Sequence, residues 1–499
     1  MTTITYGMTG AQVRSALLAN YNEIENYSLG TDEAIITEVT TGQTVANFMT
    51  AINTKFTQLA LRIAKASPGH TEVSPATEDI ATVLNDNFTL FDGYADTFLA
   101  DGVPFWIDVK QKTIPGKGTA NILAQIDSWK LGYYTGENVL YLSADNGATW
   151  PYSIAFASGC DNIMTAWVFK DGSVFVAIRQ NKIFGSADLL STLPEMTCMD
   201  TDGVTPMTFH EPVNASYPGP YFTTFRGNSF VQDGIEVFVF GTYPHHHNYG
   251  AAPIKIYRVR KISGQLNMRV MYHFGQNTVD TTMLDDGTSD GGPGGNALGD
   301  AGNETFCKHY HYCNYSYFHN ELWIQMGDDN ATIYFFKCVY DTDVDSWTIT
   351  EYHMGALSGH FRAASLDFFN GGVDCIWGSD SNKIIYKVPY SQLTSALGNH
   401  TPKFTMTQNI LGISPYGEKM FAIGGPEVPG EIAVSVDYGE TWEIASTAYH
   451  NIIGSLTTKM ISRIWEVDSN GYALIHRSQI VPLYAKESYL IKIKDKPVH

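Results

Sequence analysis

No stretch of this chain approaches the run of about 20 uncharged apolar residues that a membrane span needs, and no basic segment followed by an apolar run opens it. Neither a membrane insertion nor a signal peptide is therefore expected. Basic residues are scarce, 31 Lys+Arg against 51 Asp+Glu, which gives a formal charge of −20. That sign repels phosphate backbones and excludes binding to nucleic acid through a basic face. Cysteine is sparse as well. Cys160, Cys198, Cys307, Cys313, Cys338 and Cys375 form no C-x-x-C pair and match no standard zinc spacing, so structural thiols in a reducing compartment, and no metal site, are expected. The chain also lacks G-x-S-x-G, a Walker loop, H-E-x-x-H and a dinucleotide-binding glycine fingerprint. Nucleophilic-hydrolase, nucleotide-dependent and zincin chemistries are thus unsupported, and no cofactor is implied.

What the chain does have is core. Apolar residues make up 44%, with 26 Phe, 29 Tyr and 9 Trp in 499 residues. That length exceeds one ordinary core, so two or more domains are expected unless a large part folds as one repetitive β unit. The first region, residues 1–102, carries one pattern three times: Leu17, Tyr21 and Ile24, then Ile52, Phe56 and Leu59, then Leu84, Phe88 and Phe91. Each set falls at i, i+4 and i+7, one stripe of a helix, and Ser74-Pro75-Ala76-Thr77-Glu78 makes a good helix start before the last. These residues are expected to form either the core of a small helical module or an oligomer interface.

From about Val103 the period changes to two. Short runs such as Val139–Leu142, Ser173–Ile178, Glu236–Phe240, Lys255–Val259, Glu321–Ile324, Thr332–Phe336 and Lys383–Val388 are separated by Asp171-Gly172, Asn370-Gly371-Gly372 and Asn470-Gly471. An antiparallel meander over residues 103–499 is the expectation. Two octapeptides inside it, Ser143–Trp150 and Ser435–Trp442, both read S-x-D-x-G-x-T-W. In each, Asp145 or Asp437 can accept from backbone N–H groups of a turn, Gly147 or Gly439 supplies a positive φ, and Trp150 or Trp442 packs beneath. The motif resembles the Asp box of sialidases and related repeat proteins. The resemblance implies a mainly β fold, a β-propeller in which the box lies between outer strands, away from the active centre. Dividing the region by the size of a blade gives about six to eight, with seven expected. Ile183–Asp188 and Ile376–Ser381 look like one blade position repeated.

The triplicate L-x-x-N-F/Y-x-x-Φ, in which Lys55 replaces Asn in the middle copy, is similar to segments near the N-termini of tail-fibre, tailspike and other virion proteins of tailed bacteriophages. That resemblance implies a structural virion protein, assembled in the host cytoplasm and located in the virion as a homo-oligomer. Residues 1–102 would contact other tail proteins, and the β-region would meet a host-surface glycan as a receptor-binding subunit.

The densest polar cluster is Phe306–Asp329. On a regular strand His309 and His311 share a face, and with Tyr317, Trp323 and Arg362 of a neighbouring blade, joined by Arg226 and Arg179, they make the most ligand-like surface, since aromatic faces stack on sugars and imidazoles and guanidiniums donate to hydroxyls or acids. His245-His246-His247 reads as an exposed loop, and Asp285–Gly295 as a long inter-strand loop without the carboxylate that would complete a calcium loop. The alternative function is a sialidase-like glycoside hydrolase. That family clamps a sugar carboxylate with three arginines, for which Arg179, Arg226 and Arg362 are the candidates; the Phe-Arg-Ile-Pro motif that family carries is absent, and no catalytic residue is assigned.

Overall fold

A computed structural model describes residues 105–178, 182–207, 227–242, 255–275, 302–303, 305, 310–327, 333–354, 363–395, 400–425, 431–444, 459–479 and 485–495. Leu17, Tyr21, Ile24, Ile52, Phe56, Leu59, Leu84, Phe88 and Phe91 lie outside them, as do His245–His247 and Asp285–Gly295.

The two-residue alternation becomes seven sheets among the described residues. In chain order, sheet 1 consists of Gly118–Ile126, Trp129–Tyr134, Val139–Ser143 and Tyr152–Ala155, with Thr113–Ile114 added beside its first strand. Sheet 2 has Ile163–Val168, Val174–Ile178 and Ile183–Ser186, and sheet 3 has Asn228–Gln232, Ile235–Gly241, Lys255–Ile262 and Gln265–His273, edged by Cys198–Met199. Sheet 4 is Tyr310–Ser316, Glu321–Met326, Tyr334–Asp341 and Ser346–His353; sheet 5 is Ala363–Phe369, Asp374–Ser379, Ile384–Pro389 and Thr401–Thr405. Ile410–Tyr416, Lys419–Gly424, Glu431–Ser435 and Glu443–Ile444 make sheet 6. Sheet 7 joins Lys459–Val467, Ala473–Gln479 and Ala485–Asp495 to Phe105–Lys110 from the other end of the chain.

The first strand of sheet 3 touches that of sheet 4, and the contact repeats through sheets 5, 6, 7 and 1 to sheet 2. Between sheets 2 and 3 the ring is completed by Trp167 stacked on Phe238 at 4.8 Å. The fold is a β-propeller. Its core lies between sheet faces: Phe230 stacks on Tyr315 at 4.1 Å and Phe274 on Phe336 at 5.3 Å across sheets 3 and 4. Each such fully buried ring removes enough apolar surface to contribute about 1.5–3 kcal/mol.

Strands sequential in a sheet pair antiparallel, so connections after the first and third strands leave at one end and those after the second leave at the other. At the first end most connections are short turns, and several are tied to a neighbouring sheet. Lys170 Nζ lies 3.5 Å from Asp127, Lys261 Nζ donates to Asp171 at 2.8 Å, Thr342 Oγ1 donates to Asp233 at 2.8 Å, and Lys387 Nζ donates to the Tyr438 carbonyl at 3.2 Å. We call this the turn end.

Six of the seven first strands shift register by one residue against their second strand, at the end of the second strand in sheets 2, 4, 5 and 6 and further along it in sheets 1 and 7. The extra residues are Leu123, Met164, His311, Ala364, Leu411 and Ser462; Asn228–Gln232 alone has none. A bulge raises local twist and re-aims a side chain. One sequence expectation fails here. Ile183–Ser186 is the third strand of its sheet whereas Asp374–Ser379 is the second of its own, so the two Gly-Ser segments do not repeat one blade position.

Sheets 7 and 1 meet through a fully buried ion pair. Lys130 Nζ donates to Asp468 Oδ2 at 2.8 Å and to Gln125 Oε1 at 2.8 Å, with side-chain exposures of 0% for Lys130 and 1% for Asp468. Asp468 Oδ1 accepts from the amides of Asn470 and Tyr472, both at 2.9 Å, which shapes the turn joining the first two strands of sheet 7. Burial lowers the Lys130 pKa and the nearby Asp468 carboxylate opposes it. Asp468→Ala leaves that ammonium buried without its counter-ion, and a loss of about 3–5 kcal/mol in urea-melt stability is expected; an unchanged melt would show that this pair does not hold the ring closed.

Candidate functional site

The S-x-D-x-G-x-T-W turns are built as their residues require. Ser143 Oγ donates to Asp145 Oδ1 at 2.7 Å and accepts from Gly147 N at 2.8 Å, while Asp145 takes the Thr149 amide at 2.8 Å and its hydroxyl at 2.6 Å. Ser435, Asp437, Gly439 and Thr441 repeat each bond to within 0.1 Å, at 2.8, 2.9, 2.9 and 2.5 Å. Gly147 and Gly439 have φ of 79° and 75°, the left-handed region that favours glycine. Trp150 Nε1 donates to the Thr113 carbonyl and Trp442 Nε1 to the Gly439 carbonyl. Burial pushes the Asp145 carboxyl up, but the Thr149 hydroxyl and amide and the Ser143 hydroxyl outweigh it and hold the pKa at about 2. Both turns join the third and fourth strands of their sheets, at the turn end.

A third such turn escapes the motif. Ser186 Oγ donates to Asp188 Oδ1 at 2.8 Å and accepts from Leu190 N at 2.9 Å, and Asp188 takes the Thr192 amide at 3.1 Å and hydroxyl at 3.0 Å. Leu190 holds the glycine position at φ 64° and Leu193 stands where tryptophan stood. Only S-x-D-x-x-x-T survives as a signal, because the carboxylate and two hydroxyls, rather than glycine or tryptophan, make the bonds.

The anticipated ligand cluster is not one site. His311 and Tyr317 fall at opposite ends of Tyr310–Ser316, Tyr317 in the turn after it at the turn end. Trp323 is 3% exposed, packed among Phe335, Tyr352, Phe368 and Tyr390, with Nε1 donating to Glu321 Oε2 at 3.3 Å. It is a core residue. His311 is the bulge residue; His309 lies outside the described residues, as do Arg179, Arg226 and Arg362. His311 Nδ1 lies 3.5 Å from Asp380 Oδ2, which follows the second strand of sheet 5. A carboxylate beside an imidazole fixes the ring and its tautomer. Acid–base chemistry would need a second proton-transfer group within reach of the same atom.

Polar groups on the first strands that the sequence reading passed over link three sheets. Asn228 Nδ2 donates to Asn314 Oδ1 at 3.0 Å, and Asn314 Nδ2 donates to the Leu366 carbonyl at 2.9 Å and to Asp367 Oδ1. No spacing rule in the sequence marks this amide row, since its members come from three separate sheets. At the turn end, Arg258, Arg260 and Arg269 of sheet 3 gather on Asp345 of sheet 4 with Tyr340, an inter-sheet tie that burial and the guanidiniums make self-sufficient. Among the described residues no group of three or more His, Cys, Asp or Glu side chains could hold a metal ion. Cys160, Cys198, Cys313, Cys338 and Cys375 are all buried and form no disulfide.

No family model matches the chain, and no curated protein matches it. Among solved structures it is similar to YCF48 from Cyanidioschyzon merolae, at 13% identity over 77% of this chain and 98% of that one, with a TM-score of 0.41. Virginiamycin B lyase from Staphylococcus aureus aligns at 10% identity over 78% and 99%, with a TM-score of 0.40. The β-propeller domain of Cps50 (Swd1) from Myceliophteria thermophila gives 10% identity over 78% and 100%, with a TM-score of 0.41.

Glu236 is a carboxyl shifted into the neutral range: burial pushes its pKa up to about 7, against the pull of the Lys170 amide, which donates to Oε2 at 2.8 Å. Its partner is a backbone turn of sheet 2, so it acts as a cap between sheets. Because the folded pKa lies above the unfolded one, its contribution is fully present below about pH 4.5 and is lost as pH rises through about 7. Glu236→Gln keeps the acceptor and removes the charge, so the decline in thermal stability from pH 5 to pH 8 should shrink by on the order of 1–3 kcal/mol; parallel wild-type and variant curves would refute this. Separately, Asp145→Ala, Asp188→Ala and Asp437→Ala should each cost about 1–3 kcal/mol in denaturant melts, because each strands turn donors. A silent Asp188→Ala would show that the third turn is not equivalent to the other two.

Proposed function

We propose that this chain is a structural virion protein of a tailed bacteriophage, a tail fibre or tail-associated receptor-binding subunit. Residues 1–102 attach it to other tail proteins as a homo-oligomer, and residues 103–499 present a seven-bladed propeller to host-surface glycan. The observation that carries the reading is the L-x-x-N-F/Y-x-x-Φ pattern at Leu17–Ile24, Ile52–Leu59 and Leu84–Phe91. The repeated S-x-D-x-G-x-T-W turns add support, being turns whose carboxylates are taken up by their own backbone and hydroxyl donors. On this reading they are Asp boxes. The glycoside-hydrolase alternative rests on Arg179, Arg226 and Arg362, which lie outside the described residues.

Removing residues 1–102 is expected to leave a soluble β-domain that no longer enters particles when supplied during assembly. A truncated chain found on purified particles at the wild-type level would overturn the anchoring role.

A further inference from the structure

We propose that Asn370-Gly371 is a self-modification site, at which the chain converts its own asparagine to aspartate and isoaspartate through a cyclic imide. The reaction needs only water as co-reactant and stands apart from the virion reading.

Asn-Gly is the pair best suited to this chemistry, because glycine has no Cβ to shield its nitrogen or to keep the backbone from turning towards the asparagine side chain. The chain carries the pair three times, at Asn146-Gly147, Asn370-Gly371 and Asn470-Gly471. All three occupy connections at the turn end. Sequence does not rank them, whereas their hydrogen bonds do.

At Asn146 the nucleophile is engaged. The Gly147 amide donates to Ser143 Oγ at 2.8 Å inside the S-x-D-x-G-x-T-W turn, Gly147 is buried, and Asn146 Nδ2 reaches Ser469 Oγ at 3.3 Å. At Asn470 the Gly471 amide donates to the Asp468 carbonyl at 2.8 Å, and Asp468 is the buried carboxylate that Lys130 holds. Gly471 is buried as well. Attack in either turn has to wait for that turn to open.

The third pair differs in each respect. Asn370 and Gly371 are both exposed, no described residue accepts from the Gly371 amide, and a Cβ placed on Gly371 would meet nothing within 4 Å. Their φ values of 53° and 66° are those of the left-handed turn that Asn-Gly favours. Among the described residues the Asn370 carboxamide has one partner, Asp374, whose Oδ2 accepts from Nδ2 at 3.0 Å in a solvent-exposed bond. Such a bond opens at little cost.

Base in the solvent takes the Gly371 amide proton, the nitrogen attacks Cγ of Asn370, and the Cγ–Nδ2 bond breaks to release ammonia as the imide closes. Water then opens the ring at either carbonyl. One opening leaves aspartate, and the other leaves isoaspartate, with the backbone rerouted through the side chain. Either product replaces a donor to Asp374 by a second carboxylate beside it, and isoaspartate also lengthens the turn between Ala363–Phe369 and Asp374–Ser379. An attractive contact becomes a repulsive one.

The test is incubation of the full chain in mildly alkaline buffer, folded and in urea, followed by peptide mapping for a mass gain of about one dalton and for splitting into aspartyl and isoaspartyl forms. In the folded chain Asn370 is expected to convert about tenfold faster than Asn146 and Asn470, or more, since those two wait for local opening. In urea the three rates should converge. Asn370→Gln, whose longer side chain closes the imide far more slowly, should remove the signal from that peptide and leave the melt unchanged. Conversion of Asn146 or Asn470 as fast as Asn370 in the folded chain overturns the assignment, and so does an intact Asn370 in a folded chain whose urea-treated counterpart reacts. An equal preference for Asn370 in urea would trace it to neighbouring sequence and overturn the structural cause.

Discussion

A ring of sheets has one seam where chain-distant elements must find each other, and here the seam is marked by Lys130 and Asp468. Removing an ammonium and a carboxylate from water is expensive, and burial of two hydrocarbon side chains would give as much stability or more. What the pair adds is selectivity of docking. Lys130 is satisfied by Asp468 and Gln125 together, and Asp468 by that ammonium and the amides of its own turn. Any other pairing of sheets 7 and 1 would leave a buried charge without a partner. The same sheet 7 takes its fourth strand, Phe105–Lys110, from the opposite end of the sequence, so covalent order and spatial order are reconciled at one place.

Elsewhere neighbouring sheets are joined by large aromatic contacts within and by polar ties at the turn end. Trp167 on Phe238 and Phe230 on Tyr315 supply the apolar part. Asp345 with its three arginines supplies the polar part between sheets 3 and 4, and burial, which raises its pKa, is outweighed by Arg258, so the carboxyl stays below its ordinary value. The turn end is thus a braced surface between sheets 3 and 4.

How much of this was legible in the sequence depends on the range of the interaction. The strands were readable because alternation is local, and the runs at Val139, Glu236, Lys255 and Lys383 lie in or overlap observed strands. The turns at Asp145 and Asp437 were readable because their donors and acceptors lie within eight residues, whereas the one at Asp188 was hidden by Leu190 and Leu193, whose side chains make none of its shared bonds. The candidate site was read far less well. Trp323 looked like a sugar platform and is core, since exposure is decided by which sheet packs against it. His311 sits at a bulge of its strand, and bulges leave no mark in composition. Asn228, Asn314 and Asp367 come together only when three sheets close on each other.

The recurrent bulge has a consequence for how this molecule can be altered. The residues occupying it are Leu, Met, His, Ala, Leu and Ser, so the insertion is kept while its side chain is not. Curvature there is encoded by the count of residues, and chemical identity is left open. The six positions, one in each of six first strands, are places where new functional groups can be grafted by design without redrawing the backbone that carries them.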